Sequence, residues 1–315
     1  MRRALVVGIN DYPGTPLSGC VNDATSIAKL LEFHGDGSPN FSVKLLTSPS
    51  TPVTRPILRE AIEKLFAGDP DMVLLFFAGH GYIRSTGGYL VTVDAKRYDE
   101  GILMDEVLAL ANQSRAKNKV VILDCCHSGA MAAPSLVGNG TAQLSEGLSV
   151  LTASRDNESS LEVNGSGIFT SLLSDALHGG AADLRGNITP GSLYAYVDEA
   201  LGAWDQRPIF RTNVTSFASL RKISPKVPIE VLRRITQYFS TPGTPHKLDP
   251  SYEDTEATAD PANVKVFKDL QKLQSVGLVV PVDAEFMYFA AINSTSCRLT
   301  ALGYQYWRLV NEKKL

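Results

Sequence analysis

Three short apolar runs constrain this chain more than anything else in it: residues 4–9 (ALVVGI), 72–78 (MVLLFFA) and 120–123 (VVIL). None shows the polar–apolar alternation of a strand with one wet face, and each runs directly into Gly, Asn, Asp or His. That pattern belongs to central strands of a parallel sheet covered by helices on both sides. Residues 41–46 (FSVKLL) and 148–151 (LSVL) supply further candidate strands. Between the runs, apolar positions recur at helical spacing. Ile27, Leu30 and Leu31 follow Asp23, and Ile57, Leu58, Ala61, Ile62 and Leu65 follow Thr54, a candidate N-cap. Met104, Val107, Leu108 and Ala111 surround Asp105-Glu106; Ile168, Phe169, Leu172, Leu173 and Ala176 run up to Gly179-Gly180; Leu193, Tyr194, Val197 and Leu201 follow Pro190. Strands alternating with such helices predict an α/β domain with a largely parallel sheet flanked by helices.

Sheets of this kind carry their sites at the carboxyl ends of the strands. Two segments stand there, residues 77–81 (FAGHG) and 123–129 (LDCCHSG). A nucleophilic thiol needs a base within reach and N–H donors for the developing oxyanion, and glycines let substrate backbone approach closely. A cysteine of the 125–126 pair and His80 are therefore the candidate nucleophile and acid/base. Strand alternation turns Cys125 and His127 away from the side that Cys126 faces. His34, His178 and His246 stand in no motif, and no His/Cys set has zinc-ligand spacing.

At 315 residues the chain exceeds one typical domain; 44% apolar and 20% charged residues exclude global disorder, and a net charge of −3 gives no reason to expect nucleic acid. Of the four cysteines two are adjacent, a poor disulfide framework that fits a reducing compartment. Arg2-Arg3 and the first apolar run imitate a secretory leader, but Asn10-Asp11 ends the run without a small-residue cleavage site. Residues 72–78 are too few to span a bilayer. The expected setting is cytoplasmic, with no membrane.

FAGHG followed by DCCHSG resembles the signature pair of metacaspases and their bacterial relatives in the caspase–haemoglobinase clan, and the likeness extends to GCVNDA (19–24) and TASRDNESSLE (152–162). It covers residues 1–223. His80 lies 46 positions before Cys126, near the roughly 50 expected of caspases; the caspase pentapeptide Q-A-C-x-G is absent. The resemblance implies Cys126 as nucleophile, His80 as its partner, and an oxyanion hole from the N–H groups of Gly81 and Cys126. It implies a substrate pocket from Asp23 and Asp124 with Cys20 nearby, suited to Arg or Lys through charge-assisted hydrogen bonds. Leu17 stands where aspartate-cleaving caspases carry arginine, and Ala78 stands where the family often has serine. The plainer roles for the two acids are a helix cap and an ordered strand end. Residues 127–154 hold no Lys or Arg, so an enzyme specific for basic residues would not process itself there. No cofactor is required. Calcium activation is left open, with Asp94, Asp99 and Asp105 as candidate oxygen ligands, although Asp105-Glu106 also read as first-turn acids of a helix.

The texture changes near Ser224. Residues 228–239 read as a helix, 241–262 as a Pro-, Thr- and acid-rich loop and 264–275 as a helix. LVVPV and EFMYFAAI then read as a hairpin, and 302–310 as a last helix. Residues 224–315 thus resemble a winged-helix module. The 11 Lys/Arg and 10 Asp/Glu of residues 225–315 lack the footprint of a DNA binder, which favours an activating or regulatory protein as partner. Bacterial relatives with appended modules place the expected peptidase in stress or antiviral defence. The competing expectation is a non-enzymatic regulator that binds protein or DNA through the C-terminal module.

Overall fold

The computed structural model describes residues 1–85, 87–97, 99–125, 144–153, 162–163, 166–201 and 208–315. The chain divides into two units, Met1–Ser224 and Pro225–Leu315.

In the first unit the three apolar runs become three neighbouring strands, β1 (Arg2–Gly8), β3 (Met72–Ala78) and β7 (Asn118–Asp124). Strands β2 (Ser42–Thr47) and β8 (Leu148–Thr152) flank them, and β12 (Ile209–Asn213) closes one edge, in the order β12-β8-β7-β3-β1-β2; two short antiparallel pairs, β9 (Glu162–Val163) with β10 (Ser166–Gly167) and β11 (Asn187–Ile188) with β13 (Arg221–Lys222), lie outside it. All pairings are parallel except β12 with β8. β3 is buried along its whole length because its two faces feed two cores. Val73, Leu75 and Phe77 pack with Leu58 and Ile62 of helix α2 (Arg55–Phe66) and Val107 of α3 (Met104–Gln113). Leu74 and Phe76 pack with Ile27 and Leu31 of α1 (Cys20–Glu32), Leu173 of α4 (Ile168–Asp175) and Leu193 of α5 (Pro190–Leu201).

Registers bring the carboxyl ends of the central strands level. Gly8 lies opposite Ala78, and Ala78 opposite Asp124. The ladder continues one step further: the N–H of Ile9 donates to the carbonyl of Ala78 (3.0 Å), and that of Gly79 to the carbonyl of Asp124 (3.3 Å). Gly8 is required where it stands, since a Cβ would lie 2.4 Å from the carbonyl oxygen of Cys20 and 2.6 Å from the Cβ of Ala24. This close approach seats the first turn of α1 against the end of β1.

After β3 the chain forms an antiparallel sheet absent from the expectations above: β4 (Gly81–Arg84), β5 (Gly87–Lys96) and β6 (Asp99–Leu103). Its middle strand buries only alternate residues, Gly88, Leu90 and Thr92, so no continuous apolar run betrays it.

The second unit has helices α6 (Ile229–Arg233), α7 (Ile235–Tyr238), α8 (Pro261–Ser275), α9 (Met287–Ile292) and α10 (Ala301–Asn311). A three-stranded sheet joins β14 (His246–Lys247), β16 (Ser296–Leu299) and β15 (Val279–Val282), in that order. Two expectations are corrected here. EFMYFAAI is not the second hairpin strand: Met287, Ala290 and Ala291 are buried at helical spacing, and the segment forms α9. The strand is the more polar SCRL, whose Cys297 and Leu299 face inward. Residues 241–262 are also more than a loop, contributing β14 and a 3-10 turn at Pro250–Tyr252.

Asp269 of α8 ties this unit together. Almost fully buried, it accepts hydrogen bonds from Tyr238 Oη (2.6 Å) and from Nε (3.0 Å) and Nη2 (2.5 Å) of Arg234. Burial alone would raise its pKa; the bonds from Tyr238 and Arg234 outweigh that and hold it below the ordinary carboxylate range. Asp269→Ala strands a guanidinium and a phenol, and should cost about 2–3 kcal/mol, read as faster hydrogen exchange of the α8 amides. Because the folded pKa is depressed, this contribution is present above the ordinary Asp value of about 3.9 and is lost as pH falls through the folded one. The gap between wild type and variant should therefore close in acid.

Candidate active site

His80 stands two residues beyond the end of β3, half-buried and held from three directions. Its backbone N–H donates to the hydroxyl of Tyr12 (3.1 Å), and its carbonyl accepts from the N–H of Val91 (3.0 Å). Its imidazole lies 4.6 Å from the Tyr12 ring, centroid to centroid. The third hold fixes the tautomer. Nε2 is 2.7 Å from the carbonyl oxygen of Thr15, which can only accept, so Nε2 carries the proton and Nδ1 is left as the base.

Tyr12 supports this arrangement from inside the protein. It is 4% exposed, and its hydroxyl donates a hydrogen bond to the carbonyl of Val91 (3.1 Å). Burial pushes its pKa well up, which keeps it a neutral donor. A Cβ on Gly79 would meet that hydroxyl at 2.4 Å, so the glycine of FAGHG makes room for Tyr12.

On the neighbouring strand, β7 ends at Asp124, followed by the buried Cys125. Cys126, with its thiol and its N–H, lies outside the described residues, as does His127. Gly81 is half-buried and opens β4 directly after His80.

The candidate pocket acids come together. Asp23 (3% exposed), in the first turn of α1, accepts from the N–H of Gly167 through Oδ2 (3.2 Å). Asp124 (8% exposed) accepts from the hydroxyl of the buried Thr170 through Oδ2 (2.6 Å). A Cβ on Gly167 would lie 3.2 Å from Oδ2 of Asp124 and 3.6 Å from Oδ2 of Asp23, so the two carboxylates flank one glycine. Burial, opposed by the Thr170 bond and reinforced by the charge of Asp23, pushes Asp124 up to about 6. Cys20 is half-buried at the start of α1 and forms no disulfide.

The calcium candidates are arranged differently. Asp94 accepts from the backbone N–H of Arg55 (2.9 Å) and the hydroxyl of Thr92 (2.7 Å), and Asp99 pairs with the Arg55 side chain. Asp105 occupies the first turn of α3. Among the described residues no group of three or more His, Cys, Asp or Glu side chains gathers around a point, and no step below is routed through a metal.

Four residues of this site escaped the sequence: Tyr12, Thr15, Gly167 and Thr170. Tyr12 and Thr15 lie in the polar stretch after β1, and Thr15 contributes only a carbonyl, which any residue could. Gly167 and Thr170 precede and open α4, where the helical pattern of Phe169 and Leu173 draws attention to the core.

His80 and the buried Cys125 thus follow adjacent strand ends of a six-stranded, mostly parallel sheet flanked by helices. Residues 1–218 match the caspase domain family, and the chain belongs to it. Among solved structures, protein GSU0716 from Geobacter sulfurreducens is 20% identical, with TM-score 0.51 over 71% of this chain and 97% of that one. Caspase-1 from Spodoptera frugiperda is 12% identical, with TM-score 0.51 over 70% and 90%. Both show the shared fold. No curated relative matches at the level of sequence.

Tyr12→Phe keeps the ring but leaves the His80 N–H and the Val91 carbonyl without the hydroxyl. The His80 ring should lose its fixed orientation, read as shifted imidazole 15N resonances in NMR, while the Gly167 amide bonded to Asp23 keeps its wild-type shift. Gly79→Ala, which forces Tyr12 itself aside, should shift the His80 resonances further.

Proposed function

We propose that residues 1–223 form a cysteine endopeptidase that cleaves protein chains after Arg or Lys with Cys126 and His80. Nδ1 of His80 takes the thiol proton and the thiolate of Cys126 attacks the scissile carbonyl, while the N–H groups of Gly81 and Cys126 receive the oxyanion. His80 then gives its proton to the leaving amine, the C–N bond breaks, and an acyl-enzyme remains. Water, deprotonated by His80, hydrolyses it. The Nε2–Thr15 bond holds the ring through both transfers.

The observation that carries the choice of substrate is the carboxylate pair flanking Gly167, level with the end of the strand that delivers His80. Two buried acids side by side repel each other and call for a cation; a guanidinium or ammonium would satisfy both. An Arg-containing acyloxymethyl ketone should label wild type and leave Cys126→Ala unlabelled. Asp124→Asn should lower the labelling rate at least about tenfold, and equal labelling with an Asp-containing probe would exclude the basic specificity.

The pocket should also titrate. With Asp124 pushed up to about 6, a small guanidinium such as agmatine should bind more tightly as pH rises through 6, and release a proton when it binds below that pH. Calorimetry in buffers of different ionisation enthalpy reads both, and Asp124→Asn should remove both.

Pro225–Leu315 is assigned a regulatory or partner-docking role rather than operator recognition. Of the lysines on α8, Lys268 pairs with Asp254 (3.0 Å) and Lys272 with Asp269 (3.6 Å), which leaves little for a phosphate backbone. The setting in bacterial stress or antiviral defence follows the family resemblance. Among the described residues no helix is long and apolar enough to cross a membrane.

A further inference from the structure

The antiparallel sheet that follows His80 has an open edge. Strand β4 pairs with β5 and, among the described residues, with no other strand. The ladder sets Gly81 opposite Leu90, Tyr82 opposite Tyr89, Ile83 opposite Gly88 and Arg84 opposite Gly87, so His80 falls opposite Val91. The N–H of Val91 donates to the carbonyl of His80 (3.0 Å). The return bond is bridged by the Tyr12 hydroxyl, which accepts from the N–H of His80 and donates to the carbonyl of Val91 (3.1 Å each). His80 and Val91 are therefore a hydrogen-bonded pair, and in an antiparallel ladder such pairs alternate. Tyr82 and Arg84 turn their main-chain N–H and C=O groups toward β5, while those of Gly81 and Ile83 point away from it, along the open edge. Outside the ladder no described residue bonds to the main chain of Gly81 or Ile83, and the side chains of Tyr82 and Ile83 are exposed.

We infer that the substrate's main chain docks on this edge, as an extended strand added to β4. This rests on the peptidase reading above, in which the N–H of Gly81 receives the oxyanion. By the alternation, the main-chain groups of Ile83 lie on the same edge as that N–H, two residues further along. A strand whose cleaved carbonyl sits at Gly81 then presents to the edge the amide of the residue two places from the one that bears that carbonyl. This holds whether the strand runs parallel or antiparallel to β4, and the residue one place further on turns its amide away. An unpaired strand edge is a template for any extended chain. The oxyanion donor on the same edge makes a substrate the occupant here, and ties the register of the added strand to the cut.

The test uses the full-length protein and internally quenched peptides with a fixed Arg before the cut, N-methylated at one amide at a time. On one side of the arginine, N-methylation two places away should lower kcat/KM by roughly tenfold, while N-methylation one place further should stay within about twofold. Ile83→Pro removes an N–H that faces away from the ladder, where an edge strand tolerates proline. It should fall about tenfold in kcat/KM below Ile83→Ala, which keeps both main-chain groups, with a wild-type melting temperature as the check on folding. Should the proline variant melt early, the N-methyl series on the wild type decides alone. If the Arg acyloxymethyl ketone labels Cys126 but the series is flat or follows the other alternation, the edge inference is overturned and the peptidase stands. A folded Ile83→Pro that matches Ile83→Ala has the same meaning. A concentration-dependent dimer in sedimentation that Ile83→Pro abolishes would assign the edge to a second copy of the chain and overturn the inference too. If neither probe nor peptides react, both fall.

Discussion

Gly8, Ala78 and Asp124 lie level across three adjacent parallel strands, and the chemistry proposed for the chain hangs from that line. The registers are held by side chains far from any reacting atom. β3 must bury Val73, Leu75 and Phe77 on one face and Leu74 and Phe76 on the other, and a slip of one residue would exchange the two sets. The hydrophobic content of a seven-residue strand therefore fixes where His80 leaves the sheet relative to Asp124. From there, single polar contacts finish the positioning: the Tyr12 hydroxyl, the Thr15 carbonyl and the Gly167 amide.

What could be read in advance follows the same physics. Strands buried on both faces announce themselves as unbroken apolar runs, which is why 4–9, 72–78 and 120–123 reveal the architecture. Motif residues announce themselves by type, as His80, Asp23 and Asp124 do. Strands without an unbroken apolar run are harder to see: β5 buries alternate residues, β4 buries none, and the buried run of β6 is Glu100, Gly101 and Ile102, of mixed polarity. EFMYFAAI misled because its aromatics suit a strand while its burial at Met287, Ala290 and Ala291 follows a helix. Thr15 was beyond reach altogether, since a backbone carbonyl leaves no mark in a sequence.

The acidic pair carries an energetic cost. A carboxyl whose folded pKa stands near 6 against an ordinary 3.8 is destabilising when ionised, on the order of 3 kcal/mol, and the loss accrues as pH rises between those values. A fold that keeps such a group carries a standing electrostatic cost. Under the proposed basic specificity, a bound cation would offset the desolvation and the mutual repulsion together, so part of its affinity would come from relief of that cost.

Gly8 allows the first turn of α1 to rest against the end of β1, and that contact has a consequence for how the family can diversify. Asp23 rides on a helix docked rigidly to the sheet, whereas His80 rides on the turn after β3 and is oriented by Tyr12 and Thr15. In the proposed peptidase, recognition and proton transfer would thus be mounted on different pieces of backbone, and exchanging side chains at positions 17, 20 or 23 would recode what the pocket accepts while the acid/base stays in register, so that selection could explore new substrates without first rebuilding the catalyst.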